Sequence, residues 1–275
     1  MIRTWFNKLE LLVFLLLLGQ NILFAQEGLN NFYLEKTTGP ELSTENKQGK
    51  SAFVGGFYEA RFCNVDVDLD GIEDLLVFDY KALRPIIYLG NGDSIHPEYK
   101  HAPSLEFLMP QLYNWVKAAD FNNDGKKDLF TANNFGGIRV YLNTSSGSEL
   151  SFKLFSEELS HFDEDLSYYT NVVVPNSDLP EIIDFDNDGD IDVLAFDGSG
   201  NVTYYQNQYQ ELYGNSDDFE FKVITYCWGR FGEYGGKERV ALDATCRLFL
   251  NSRHDGNNIS LLDYDNDGDY DAIIS

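Results

Sequence analysis

A nine-residue pattern occurs four times in this chain, and it constrains the fold more than any other feature of the sequence. The copies are residues 66–74 (DVDLDGIED), 120–128 (DFNNDGKKD), 184–192 (DFDNDGDID) and 263–271 (DYDNDGDYD). Side-chain oxygens fall at positions 1, 3, 5 and 9 of every copy: Asp66, Asp68, Asp70 and Asp74; Asp120, Asn122, Asp124 and Asp128; Asp184, Asp186, Asp188 and Asp192; Asp263, Asp265, Asp267 and Asp271. Position 6 is always glycine, where the backbone must bend in a way that a Cβ penalises. A hard cation such as calcium takes six to eight oxygen ligands at about 2.3–2.6 Å, and alternate carboxylates on a sharply turning loop supply most of them from one segment. Position 7 then needs to offer only its carbonyl, so its side chain is free to vary; it is Ile72, Lys126, Asp190 and Asp269.

A single Asp/Asn/Gly cluster is commonly a solvated turn. Four copies in one register are not explained that way, because acidity alone gives no reason for glycine at each sixth position and an apolar run after each ninth. An EF-hand begins similarly but needs a bidentate Glu at position 12 and flanking helices. Position 12 is Val77, Thr131, Ala195 and Ile274, and the loops run into strand-like segments at 75–78, 129–131, 193–196 and 272–274. The same gap counts against helical dockerin-type loops.

The pattern resembles the FG-GAP or VCBS repeat family, whose acidic loops join two strands of a β-propeller blade. The resemblance implies an all-β propeller, about four calcium ions that brace the blades, and recognition by loops between strands. Each unit is expected to read strand, acidic loop, strand, turn, strand, with outer strands near 151–155 and 219–225. Loop starts are 54, 64 and 79 residues apart, which is blade-sized with insertions, and a blade becomes stable by stacking on its neighbours. The insertions at 161–178 and 227–254 are expected to be loops. The family commonly has more blades than four, so the chain reads as the front part of a larger propeller.

The organisation expected is an export signal over 1–25, a linker with a candidate closing strand at 31–36 over 26–50, and repeats over 51–275. Arg3 and Lys8 precede the apolar run 11–18, and Ala25 offers a small residue for cleavage. That run is shorter than the roughly 20 residues a membrane span requires. An exported, cell-surface or extracellular chain also suits loops that fill at near-millimolar calcium. Such a compartment permits a Cys227–Cys246 disulfide with Cys63 left over, or all three as small buried residues.

Net charge is −25, and the loops hold 17 Asp, with Glu73 as one more, of the 45 acidic residues. Nucleic acid is not an expected partner, since phosphate binding needs a basic surface. His96, His101, His161 and His254 stand in no zinc pattern and read as surface or loop residues. No nucleophile elbow, phosphate loop or dinucleotide fingerprint occurs, and residues 229–236 (GRFGEYGG) read as a loop. The sequence therefore points to a non-catalytic binding or adhesion module for a glycan or protein. The alternative is a lyase-like polysaccharide enzyme on a similar propeller, or an accessory domain of one. Tyr168, Tyr169, Tyr226, Trp228, Phe231 and Tyr234 suit sugar stacking in either case, or ordinary packing between blades.

Overall fold

The computed structural model describes residues 57–231 and 257–274, with the backbone of 42–44, 47–49, 232–233 and 240–241. The export signal and the candidate strand at 31–36 lie outside the described residues. Two compact units divide at Gly55 and Gly56. Of the first, the described part is a hairpin, β1 (Leu42–Thr44) paired antiparallel with β2 (Lys47–Gly49).

The second unit is all-β in its main elements. Its first sheet is an antiparallel meander of β3 (Ala60–Val65), β4 (Asp74–Asp79), β5 (Arg84–Gly90) and β6 (Tyr99–His101), followed by a single helical turn, α1 (Pro103–Glu106). The second repeats it with β7 (Val116–Ala119), β8 (Asp128–Ala132), β9 (Ile138–Asn143) and β10 (Phe152–Ser156). A hairpin follows, β11 (Ser160–Asp163) and β12 (Tyr168–Asn171). The third meander is β13 (Glu181–Ile183), β14 (Asp192–Phe196), β15 (Val202–Asn207) and, after the short α2 (Tyr209–Tyr213), β16 (Phe221–Thr225). Then come a 3₁₀ turn at Trp228–Arg230, the short pair β17 (Gly232–Glu233) with β18 (Val240–Ala241), and the pair β19 (Ile259–Leu262) with β20 (Asp271–Ile274). Each acidic loop joins the first strand of a sheet to the second.

The apolar runs after the loops are continuous because both faces of these strands are covered. Alternate side chains of a strand point to opposite faces. Leu129 accordingly packs with Val65, Leu76 and Ile87 of the first sheet, while Phe130 packs with Val193, Ala195 and Phe221 of the third. Leu194 and Phe196 face the other way, against Ile259 and Leu261. The three cores thus lie between consecutive sheets, and each fully buried Leu or Phe contributes about 1.5–3 kcal/mol. The first strands of successive meanders are also tied together. Glu181 of β13 pairs with Lys117 of β7 at 3.2 Å and accepts the backbone N–H of Leu261 in β19 at 3.3 Å.

Three expectations need correction. The insertion at 161–178 is not only loop: β11 and β12 widen the third sheet to six strands, β11 joining β16 in parallel through His161 and Phe221. His161 is consequently a buried strand residue, its ring 5.2 Å from that of Tyr205 and its Nε2 3.0 Å from the Thr170 hydroxyl. The glycine-rich segment begins as a 3₁₀ turn and a strand, not a plain loop. Cys63 is a free thiol and Cys227 is disulfide-bonded; the chain's third cysteine, Cys246, lies outside the described residues. Among the described residues no helix is long and apolar enough to cross a membrane.

Candidate metal centre

The four acidic loops share one backbone. Glycine at position 6 has φ of +87°, +85°, +101° and +95° in Gly71, Gly125, Gly189 and Gly268. An added Cβ would meet nothing within 4 Å at any of the four, so conformation and not space requires glycine there. Position 4 is left-handed too, with φ of +62°, +57°, +62° and +59° in Leu69, Asn123, Asn187 and Asn266. Asn adopts that conformation more readily than other non-glycine residues, and Leu does so at a cost of about 1 kcal/mol. Leu69→Asn is therefore expected to stabilise the protein by about 0.5–1 kcal/mol, measured by denaturant unfolding.

The hydrogen bonds repeat as well. The position-1 carboxylate accepts the backbone N–H groups of positions 5 and 6, as Asp66 does from Asp70 (3.2 Å) and Gly71 (2.9 Å) and Asp263 from Asp267 and Gly268 (3.1 Å each). The position-5 carboxylate accepts the N–H of position 7 in all four loops. These bonds fold the loop inward and bring its carboxylates together. Within loop 1 the carboxylate oxygens of Asp66, Asp68 and Asp70 lie within 4.8 Å of one another, as do those of Asp184, Asp186 and Asp188 in loop 3 and of Asp263, Asp265 and Asp271 in loop 4. Loop 2 has two carboxylates at these positions, Asp120 and Asp124, with the Asn122 amide oxygen beside them, accepting the Asp124 N–H at 3.2 Å.

Position 9 does something further. Its Oδ2 accepts the N–H of position 2 in every loop, at 3.0–3.2 Å. In the first three loops its Oδ1 accepts an N–H at the end of the third strand of the same sheet: Gly90 to Asp74 (2.8 Å), Asn143 to Asp128 (2.7 Å) and Asn207 to Asp192 (2.8 Å). Those three carboxylates are buried, whereas Asp271 is exposed. Burial pushes the Asp128 carboxyl up to about 7 and that of Asp192 up to about 8, and raises Asp74.

Position 7 is not uniformly free. Ile72 and Lys126 contribute no carboxylate, and Lys126 instead stands 3.8 Å from Asp124. Asp269 is raised by its contact with Asp267. Asp190 is wholly buried, accepts the Gln210 N–H at 2.9 Å, and lies with Asp188 and Glu211 in a second acidic group. Burial, followed by the nearby charges of Asp188 and Glu211, pushes its carboxyl up to about 7. Glu211 belongs to α2 and has no local sequence mark, since it stands 19 positions beyond Asp192 at the end of the loop.

Neighbouring loops touch in succession. Lys127 of loop 2 pairs with Glu73 of loop 1, Asn123 of loop 2 donates to the Gly189 carbonyl of loop 3, and the Tyr270 ring of loop 4 stacks on Phe185 of loop 3 at 5.8 Å. The loops therefore form one continuous acidic edge. Apart from them, a cavity of about 720 Å³ is lined by Arg61, Lys81, Lys117, Leu179, Ile259 and Ile273, among others. Its bases are engaged: Lys117 by Glu181, Lys81 by Glu59 at 3.5 Å, and Arg61 by the carbonyls of Ser177 and Asp178.

The aromatic insertion residues divide. Phe231 and Trp228 pack into the core beside Phe196 and Tyr204, whereas Tyr168, Tyr169 and Tyr226 are more than half exposed. Tyr234 lies outside the described residues. No curated protein matches the chain. Residues 66–131, which span loops 1 and 2 with their intervening strands, match the FG-GAP-like repeat, and the loop geometry of that segment recurs in loops 3 and 4.

Proposed function

We propose that the chain is a secreted or cell-surface calcium-binding protein, a β-propeller of FG-GAP or VCBS-type blades, acting as a non-catalytic binding or adhesion module. The observation that carries this reading is the fourfold recurrence of one loop, with the same two left-handed positions and the same inward hydrogen bonds, which gather three carboxylates in loops 1, 3 and 4. Like charges held this close repel unless a cation lies among them. The all-oxygen, carboxylate-rich donor set fits calcium in preference to zinc or copper. Asp66, Asp68, Asp70, Asp184, Asp186, Asp188, Asp263, Asp265 and Asp271 would hold it, with Asp120, Asn122 and Asp124 in loop 2. The role of the ions is to fix the loops at the edge of successive sheets.

Face-to-face stacking of successive meanders, with β3 beside β7 and β13 beside β19, supports a propeller arrangement. The surface proposed for a partner is the insertion. Tyr168 and Tyr169 project from the β11–β12 hairpin, with Phe162 5.4 Å from Tyr169 and Tyr226 close to Asp163 and Asp165. Exposed aromatic faces beside polar groups suit a glycan ring or an apolar protein side chain. A lyase-like reading gains no support from the cavity, whose bases already have acidic or carbonyl partners.

Calorimetric titration of the chelator-stripped chain with calcium tests the proposal. About four loop ions are expected, loop 2 being the weakest, because Asn122 replaces a carboxylate and Lys126 sits 3.8 Å from Asp124. Uptake of one ion or none contradicts it.

A further inference from the structure

We infer that loop 3 takes a second divalent cation, held by the carboxylates of Asp188, Asp190 and Glu211 next to the ion proposed for Asp184, Asp186 and Asp188. The inference extends the reading of loop 3 as a cation site. Oxygens of the three carboxylates lie within 4.8 Å of one another, and two of the three groups come from the loop while the third is brought over it by α2.

What distinguishes this group from a solvated acidic patch is its burial. Asp190 is 0 % exposed; its Oδ2 accepts the Gln210 N–H, but its Oδ1 is buried with no partner. The Oδ2 of Asp188 is likewise buried and unpartnered, its Oδ1 being taken by the Asp190 N–H at 3.0 Å. A buried carboxylate oxygen with nothing to face is costly, and two of them beside a third carboxylate are more so. Among the described residues no Lys or Arg pairs with any of the three. The Gln206 amide bridges Glu211 and Asp186, which holds Glu211 against the loop. One divalent ion would satisfy both orphaned oxygens together.

The donors are hard, anionic oxygens, which select calcium, with magnesium as the competitor. Among the described residues the feature is confined to loop 3. Position 7 is Ile72 in loop 1 and Lys126 in loop 2, and in loop 4 the described residues bring no third carboxylate to Asp267 and Asp269. Because Asp188 serves both ions, the two repel across it, and the second fills at higher calcium than the first.

The test counts calcium on the full chain by native mass spectrometry across a calcium titration, with folding checked by circular dichroism. Wild type is expected to hold one more ion than Glu211→Gln, and Asp190→Asn is expected to lose the same ion. The midpoints of the remaining ions should stay within about twofold, and both variants should melt higher than wild type in chelator, since each removes a repelling charge. Asp265→Asn in loop 4 serves as the control that weakens a different ion. If wild type and both neutralised variants hold equal numbers of ions, as a proton shared between Asp188 and Asp190 would give, the second site is overturned and the four-loop reading stands. If wild type holds none, both readings fall.

Discussion

Removing calcium from the folded chain is expected to lower its melting temperature by about 20 °C or more. Ions that bind the native loops and hardly bind the unfolded chain stabilise by RT ln(1 + [L]/Kd), or about 2.7 kcal/mol per site at a hundredfold excess over Kd. A unit of roughly 220 residues shifts by about 2–4 °C per kcal/mol, so four sites together reach the stated size. The effect should depend on pH with a definite sign. The carboxyls of Asp128 and Asp192 are raised to about 7 and about 8 by burial, above the ordinary value near 4. Without metal the native state therefore holds protons that the unfolded chain has released. The stability these protons give is complete below about pH 4 and is lost as pH rises through about 7 to 8. A chelated sample should melt lower at pH 8 than at pH 5, whereas saturating calcium should flatten or reverse that slope. Scanning calorimetry with and without chelator at the two pH values decides this, and a melting curve indifferent to chelator would show the loops to be solvated turns.

The second large effect is expected at position 9. Asp192→Ala should cost about 3 kcal/mol or more even in chelator, because Asp192 is buried and accepts the Phe185 and Asn207 N–H groups and the Tyr204 hydroxyl. Each buried donor left without a partner costs about 1–3 kcal/mol. Asp186→Ala is the contrast. Its carboxylate accepts from the Gln206 side chain and belongs to the exposed part of the cluster, so in chelator its loss should be close to neutral, while in calcium it should weaken one ion. Urea unfolding of both variants in both conditions separates the carboxylate that fastens the loop to its sheet from the one that faces an ion. Equal losses for the two in chelator would contradict this division of labour.

Much of this arrangement is legible in the sequence because it is local. Alternate Asp residues, the glycine at position 6 and the apolar run after position 9 place β4, β8, β14 and β20 within a residue or two. Asn123, Asn187 and Asn266 also carried a readable signal for the second left-handed position, although Leu69 obscures it. What the sequence does not show is non-local. The β11–β12 hairpin attaches through one parallel register, His161 with Phe221, across nearly sixty residues, and no pattern near 161 announces it. The buried position of His161 follows from that attachment. Glu211 joins Asp188 and Asp190 only because β15 and α2 carry it back over the loop. The roles of Asp74, Asp128 and Asp192 are hidden for the same reason, their partners being N–H groups 15 or 16 residues further on.

The central claim is that each repeated loop encloses one calcium ion, and the most direct measurement is the anomalous scattering of crystals grown in calcium or soaked with a lanthanide. At least one peak is expected in each of the four loops, about 2.3–2.6 Å from the side-chain oxygens named above for that loop. Well-ordered loops without peaks at saturating calcium, or peaks confined to other parts of the surface, would contradict the account.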